Sequence, residues 1–194
     1  RDLILELGTM CTDVEDNVGE PTELAIVNAA KEQGKYKERL YQKFNRINDI
    51  PFDSNRKMMS TIHKIGNLQK STETDSNSRL ASILKNETGY LVITKGAPDV
   101  LLKHCTKYFQ NGEIHLLDNS AISKIEKINS LMAEGALRVI AVAYSLMPRL
   151  PTTIDSNSLE QNLIFAGLIG MIDPPREGVK EAVATCRRAG IKTV

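Results

Sequence analysis

Tyr90-Leu91-Val92-Ile93-Thr94-Lys95-Gly96-Ala97-Pro98-Asp99 passes from strand to helix within one short stretch. Tyr90 to Thr94 is a compact run of β-favouring side chains. Pro98 suits a first helical turn, where the N–H it lacks is not needed, and a helix is predicted over Ala97 to His104. Lys95 falls at the strand end. From there its side chain can pass along a base or reach a phosphate, and Gly96 lets another backbone approach closely. A solvated lysine before a simple turn is the plainer reading of the same pair.

Elements on either side follow from periodicity and turn residues. Asp2 to Cys11 reads as a helix with Leu3, Leu7 and Met10 on one side, followed by a polar turn from Thr12 to Gly19. Pro21 opens a second helix that Gly34 ends, and Lys35 to Phe44 reads as a third, short one. Arg46 to Phe52 and Arg56 to Ile65 suggest an antiparallel pair joined by Asp53-Ser54-Asn55. Gly66 to Thr88 is rich in Ser, Thr, Asn and Lys and reads as a polar excursion, with one helical turn near Leu80 to Leu84. Glu113 to Leu117, Leu137 to Leu146 and Leu163 to Ile172 are further strands. Asn119 to Glu134 is an amphipathic helix, ended by Gly135, with Ile122, Ile125, Ile128 and Met132 on its buried face. A last helix runs from Pro174 to Ala189, capped by Asp173 and ended by Gly190, with Val179, Ala182, Val183 and Cys186 at helical spacing. The sum is an α+β fold, an antiparallel β-sheet flanked by helices.

Composition narrows the function. The 194 residues carry a net charge of +1, which gives no drive towards nucleic acid or an acidic surface. No apolar run reaches the ~18–20 residues needed to span a bilayer. Cys11, Cys105 and Cys186 are far apart and lack metal-ligand spacing, so buried free thiols are expected and no metal site. His63, His104 and His115 have no partner spacing. Arg1 at one end and the strand-like Ile191 to Val194 at the other read as the edges of an excised piece of a longer protein. No glycine-rich phosphate loop is present.

Four separated segments carry the parts of an adenine-nucleotide site. Phe52 is one of only four Phe, beside five Tyr and no Trp, so a core position competes with a base-stacking role. Glu23 serves equally as first-turn charge on a helix or as acceptor for an exocyclic amine. Arg138 stands on a strand otherwise made of Val, Ile and Ala, and must leave the core or meet an anion.

Together these segments resemble the P-type cation-transporting ATPases, calcium-pump-like members above all. Lys95-Gly96-Ala97-Pro98-Asp99 is similar to that family's lysine-centred nucleotide motif, which usually ends in Glu where Asp99 stands here. Gly19-Glu20-Pro21-Thr22-Glu23 resembles its Gly-(Asp/Glu)-x-Thr-Glu motif. Phe52-Asp53-Ser54-Asn55-Arg56-Lys57-Met58-Met59 resembles its Phe-(Asp/Ser)-x-x-Arg-Lys-x-Met segment, and Leu137-Arg138-Val139-Ile140-Ala141-Val142-Ala143 its arginine strand. Asp173-Pro174-Pro175-Arg176 looks like the hinge back to the phosphorylation (P) domain.

The resemblance implies a nucleotide-binding (N) domain over residues 1–172 and a hinge with a partial P segment over 173–194, whose terminal helix belongs to the P domain. It implies Phe52 on adenine, Glu23 on the adenine amine, Lys57, Lys95 and Arg138 near the nucleotide, Gly96 at close approach and Met59 lining the pocket. ATP with Mg2+ is the implied ligand, the magnesium held mainly by the P domain. The implied partners are the P and actuator domains and membrane helices of one chain, with this domain monomeric and on the cytoplasmic side of a cell membrane. The family's Asp-Lys-Thr-Gly-Thr, Thr-Gly-Asp and Gly-Asp-Gly motifs are absent, so binding without turnover is expected, and no residue here is assigned as catalytic. Proton pumps share part of the lysine motif. Two other classes stand beside this one: an interaction module using the Gly66–Thr88 excursion, and a truncated haloacid-dehalogenase-like phosphatase, against which the missing nucleophile motif argues.

Overall fold

The computed structural model describes residues 1–66, 78–172 and 178–192. Three helices lead: α1 (Asp2–Met10), α2 (Pro21–Glu32) and α3 (Lys37–Lys43). The hairpin β1 (Phe44–Asp53) and β2 (Met58–Ile65) follows, then α4 (Arg79–Ile83), β3 (Tyr90–Gly96) and α5 (Pro98–Leu101) with a 3-10 turn at Leu102–His104. The chain continues through β4 (Cys105–Gln110), β5 (Glu113–Leu116), α6 (Asn119–Glu134), β6 (Arg138–Met147), α7 (Ser156–Leu159), β7 (Leu163–Met171) and α8 (Val179–Arg188).

The strands form one sheet in the order β1-β2-β3-β6-β7-β4-β5. All neighbours pair antiparallel except β4 with β7, which run parallel. The α+β fold with a flanked sheet is as expected; the parallel pair, and β4 itself, are additions. β4 escapes periodicity because Thr106, Lys107 and Gln110 are exposed, leaving no apolar alternation. α7 is a further addition, closed by an Asp155 capping box.

Each sheet face buries a distinct apolar set. On one, Leu3, Leu7 and Met10 of α1 meet Leu40, Leu80 and Leu84 over Met59, Leu91, Ile93 and Tyr144. On the other, Leu101 and Leu102 pack with Met58, Ala141, Ala143, Leu163 and Phe165. Beside them Leu159 seals Ile62 and Val92. Helices thus cover both faces, and each face of the sheet buries mainly apolar side chains, as two-sided burial demands.

Helix boundaries follow the punctuation in the chain. Pro21 begins α2, and Gly34, at φ +70°, turns the chain after it. Asp118 caps α6 by accepting from Ala121 N at 2.7 Å. The buried face expected of α6 is only partly covered: Ile122, Ile125 and Met132 are half-buried, while Ile128 is exposed. The expected start of the last helix at Asp173–Pro174 lies outside the described residues. Its described part begins at Val179 behind Gly178, and α8 buries none of its side chains. Cys11 and Cys105 are buried free thiols, whereas Cys186 on α8 is half-exposed. Among the described residues no helix is long and apolar enough to cross a membrane.

His63 on β2 is fully buried, its Nδ1 bonded to Phe44 O at 3.2 Å and its Nε2 to Thr61 Oγ1 at 2.9 Å. Burial holds its pKa down at about 3, against an ordinary 6.5. The unfolded chain therefore takes up this proton first, so folding stability contributed by neutral His63 is lost as pH falls below about 6.5. Unfolding free energies from urea titrations between pH 7 and 5 should fall on acidification, by up to ~1.4 kcal/mol per pH unit. In His63→Gln that component of the slope should vanish; an unchanged slope would refute the assignment.

Candidate functional site

A cavity of about 570 Å³ opens where the ends of α2, the β1–β2 hairpin, β3 and β6 meet. Its lining includes Glu23, Phe52, Lys57, Lys95, Gly96 and Arg138. These six come from four stretches of sequence, and the fold gathers them.

The hairpin supplies two. Asp53 Oδ1 accepts from the backbone N–H of Asn55 (2.9 Å) and Arg56 (2.8 Å), a local turn that Asp favours. Lys57 closes the turn at φ +53°. It therefore precedes the strand, so strand alternation does not relate its direction to that of Met59. Phe52 leaves β1 with 62% of its surface exposed, so it is not a core aromatic.

Strand β3 supplies Lys95 and Gly96. A Cβ at Gly96 would lie 2.4 Å from Lys57 O and 2.7 Å from Met58 Cγ. Only glycine lets the two backbones approach this closely, and Ala97 N donates to the same Lys57 O at 3.1 Å. In the β2–β3 register Gly96 faces Met58 and Lys95 faces Met59. Met59 therefore lies on the Lys95 side, but it is 1% exposed inside the core and does not line the cavity. Its expected pocket-lining place is corrected to a core position under the site.

Strand β6 extends beyond β3. Gly96 is opposite Ala141, so Arg138, Val139 and Ile140 run past the end of β3 and form a wall of the cavity. Arg138 is exposed at the start of β6.

Glu23 is held at both carboxylate oxygens. Oε1 pairs with Lys95 Nζ, and Oε2 accepts from Asp13 N at 2.8 Å. The loop carrying Asp13 is itself fixed. Arg46 donates to Thr12 O (3.0 Å) and Asp13 Oδ1 (2.8 Å), and Lys37 Nζ donates to Thr12 O (2.9 Å) and Val14 O (2.8 Å). Burial lowers the pKa of the Lys37 ammonium, with the Arg46 charge acting in the same direction. Lys95, at 6% exposure, thus presents a paired head rather than a bare charge.

The lining sorts by chemistry. Phe52 offers an aromatic face, Glu23 a fixed acceptor, Gly96 and Ala97 a close backbone edge, and Lys57 and Arg138 two cations. Among the described residues neither Lys57 nor Arg138 is in an ion pair. Sequence reasoning missed Glu20, Thr22, Ala97, Val139 and Ile140 as lining residues. All five lie inside the motif segments quoted above, beside residues with a more evident chemical role.

The family profile "P-type ATPase, cytoplasmic domain N" matches residues 8–178. The chain belongs to this family. Over 196 aligned residues it is 37% identical to "Calcium-transporting ATPase 1" of Bacillus cereus, covering 99% of this chain and 20% of that protein. A calcium-transporting ATPase of Listeria monocytogenes is 32% identical over 98% of the chain and 20% of its own length. "Sodium/potassium-transporting ATPase subunit alpha-1" of Catostomus commersonii is 30% identical over 92% of the chain and 17% of its own length. The chain thus spans about a fifth of the length of the curated relatives it matches.

Gly96 gives the site its sharpest structural test. Gly96→Ala should force Lys57 O and the hairpin tip away and cost about 1–3 kcal/mol, the usual penalty of overpacking. A urea midpoint equal to wild type would mean that the tip yields freely.

Proposed function

We propose that this domain holds ATP in the Phe52–Lys95 cavity on behalf of an ATP-driven cation pump, and presents the γ-phosphate to an aspartate on the phosphorylation domain. The observation that carries the reading is the convergence of Glu23, Phe52, Lys57, Lys95, Gly96 and Arg138 on one cavity large enough for a nucleotide. Adenine stacks on Phe52 and gives its amine to Glu23, while Lys57 and Arg138 take the phosphates. Lys95 passes the base and shares Glu23 with it.

Among the described residues no group of three or more His, Cys, Asp and Glu is placed to hold a metal ion. Mg2+ is proposed to arrive on the nucleotide phosphates, with its protein ligands in the phosphorylation domain.

Residues 1–172 are proposed as the N domain and 173–194 as hinge and first part of the P domain. The uncovered side chains of α8 support that division. The hinge residues Asp173, Pro174, Pro175 and Arg176 lie outside the described residues. Swinging about this hinge would make γ-phosphate delivery intramolecular, so weak ATP binding by the domain suffices. The parent is proposed to be a multi-pass membrane protein with this domain on the cytoplasmic side, beside actuator and P domains. The proposed ion is calcium, because the relatives at 37% and 32% identity bear that name. The sodium/potassium relative at 30% keeps another cation as the alternative.

Titration of the 194-residue chain with ATP, followed by backbone amide shifts, tests the reading. Shifts should cluster at Glu23, Phe52, Lys57, Lys95 and Arg138, with no phosphate released. Phe52→Ala should weaken binding by ~1–3 kcal/mol, the worth of one stacked base. Absence of shifts at several-millimolar ATP would overturn the site.

A further inference from the structure

Behind the cavity, on the opposite sheet face, lies a buried polar cluster that no expectation covered. Arg56 Nη1 donates to Glu160 Oε1, and Arg56 Nη2 donates to Pro51 O at 2.6 Å. Ser60 Oγ donates to the same Glu160 Oε1 at 2.5 Å and stands 2.9 Å from Thr94 Oγ1, its partner in the β2–β3 register. His104 Nδ1 donates to Glu160 O at 2.7 Å, and Glu160 N donates to Ser156 O at 2.9 Å. Glu160 is 1% exposed, and its Oε2 is buried with no partner among the described residues.

A buried ion pair is rarely the most stabilising solution; apolar residues of similar volume often do as well or better, and the better-attested use of such a pair is to fix a register. Here the thing fixed is identifiable. From Pro51 to Lys57 every residue is exposed except Arg56. The hairpin tip therefore has almost no apolar burial of its own to orient it. Arg56 grips the carbonyl immediately before Phe52 and is bonded through the chain to Lys57. Its other anchor, Glu160, is rooted by α7 and by Leu159 in the core.

We infer that Arg56 and Glu160 are positioning residues for the nucleotide, locking the β1–β2 tip so that Phe52 and Lys57 face the cavity. The inference rests on the nucleotide reading of that cavity. Neither residue lines the cavity. The pair acts by removing tip conformations that ATP would otherwise have to select against, and a binding-competent state that is only partly populated lowers apparent affinity by its fraction.

The test uses the 194-residue chain and ATP as probe, read by calorimetry and amide shifts. Arg56→Met and Glu160→Gln should each weaken ATP by roughly tenfold, and the double variant by little more than either alone, as residues of one network do. Glu160→Gln keeps the shape and an acceptor for Ser60, so it guards against a variant that fails to fold. A second background separates positioning from bulk stability. In Phe52→Ala/Lys57→Ala, whose residual ATP binding rests on Glu23, Lys95 and Arg138, Arg56→Met should cost less than twofold. An equal loss on both backgrounds, or wild-type affinity in the single variants, would overturn the lock. A wild-type chain that does not bind ATP would instead overturn the nucleotide reading, and the lock with it.

Discussion

A side chain at position 96 has no room, because its Cβ would meet the Lys57 carbonyl oxygen at 2.4 Å. That contact fixes how the hairpin tip and the end of β3 come together. Lys57 O accepts from Ala97 N, so the tip is bonded to the residue that opens the way into α5. β2 and β3 can then keep their register as far as Met58 and Gly96. Beyond that point β3 ends while β6 continues, and the space left over is the cavity. The concavity is thus a consequence of strands of unequal reach, and glycine is the condition for them to stop where they do.

Charge in this region is arranged by partner and depth. Lys95 and Glu23 neutralise one another at the cavity wall, and Asp13 N takes the second Glu23 oxygen. Arg46 and Lys37 hold the loop bearing Asp13 from the other side. A carboxylate fixed at both oxygens cannot swing to follow a ligand, which suits recognition of a group at one position over general attraction of cations. Arg56 and Glu160 repeat the device on the opposite face, outside the cavity lining.

Most elements were legible because punctuation and period agreed. Pro21 and Gly34 bound α2, Pro98 opens α5, and Asp118 with Gly135 frames α6. What failed did so where local pattern is silent about tertiary burial. Period placed Ile128 on the apolar side of α6, yet it is exposed, because α6 sits shallowly on the sheet. β4 has exposed polar residues and gains its place only by parallel pairing with β7, a long-range event. Met59 stands in a quoted motif, yet its side chain is 1% exposed in the core beneath the site, a burial that the motif does not encode. The candidate residues other than Met59 and those of the hinge do meet at one cavity, and motifs pointed there. Glu160 carried no signal, standing 104 residues from Arg56 with no pattern to join them.

The distribution of rigidity bears on what such a domain can do. Its cavity is built from elements anchored in the two cores, while the exposed hairpin tip is held by polar contacts, the Arg56–Glu160 pair and the Ala97 N to Lys57 O bond. A binding surface that must also release its ligand gains from that division. Rigid walls keep the acceptor and backbone edge in place and so limit the entropy lost on binding. A tip held by polar contacts can yield without disturbing the sheet, because those contacts are not part of the apolar packing. Tight binding would then be a disadvantage. On the proposed reading, a domain that hands a phosphate to another part of the same chain works by effective concentration, and affinity beyond that need would only slow the departure of the spent nucleotide. The exposed Phe52 and the uncommitted Lys57 and Arg138 are consistent with a site tuned for exchange over retention.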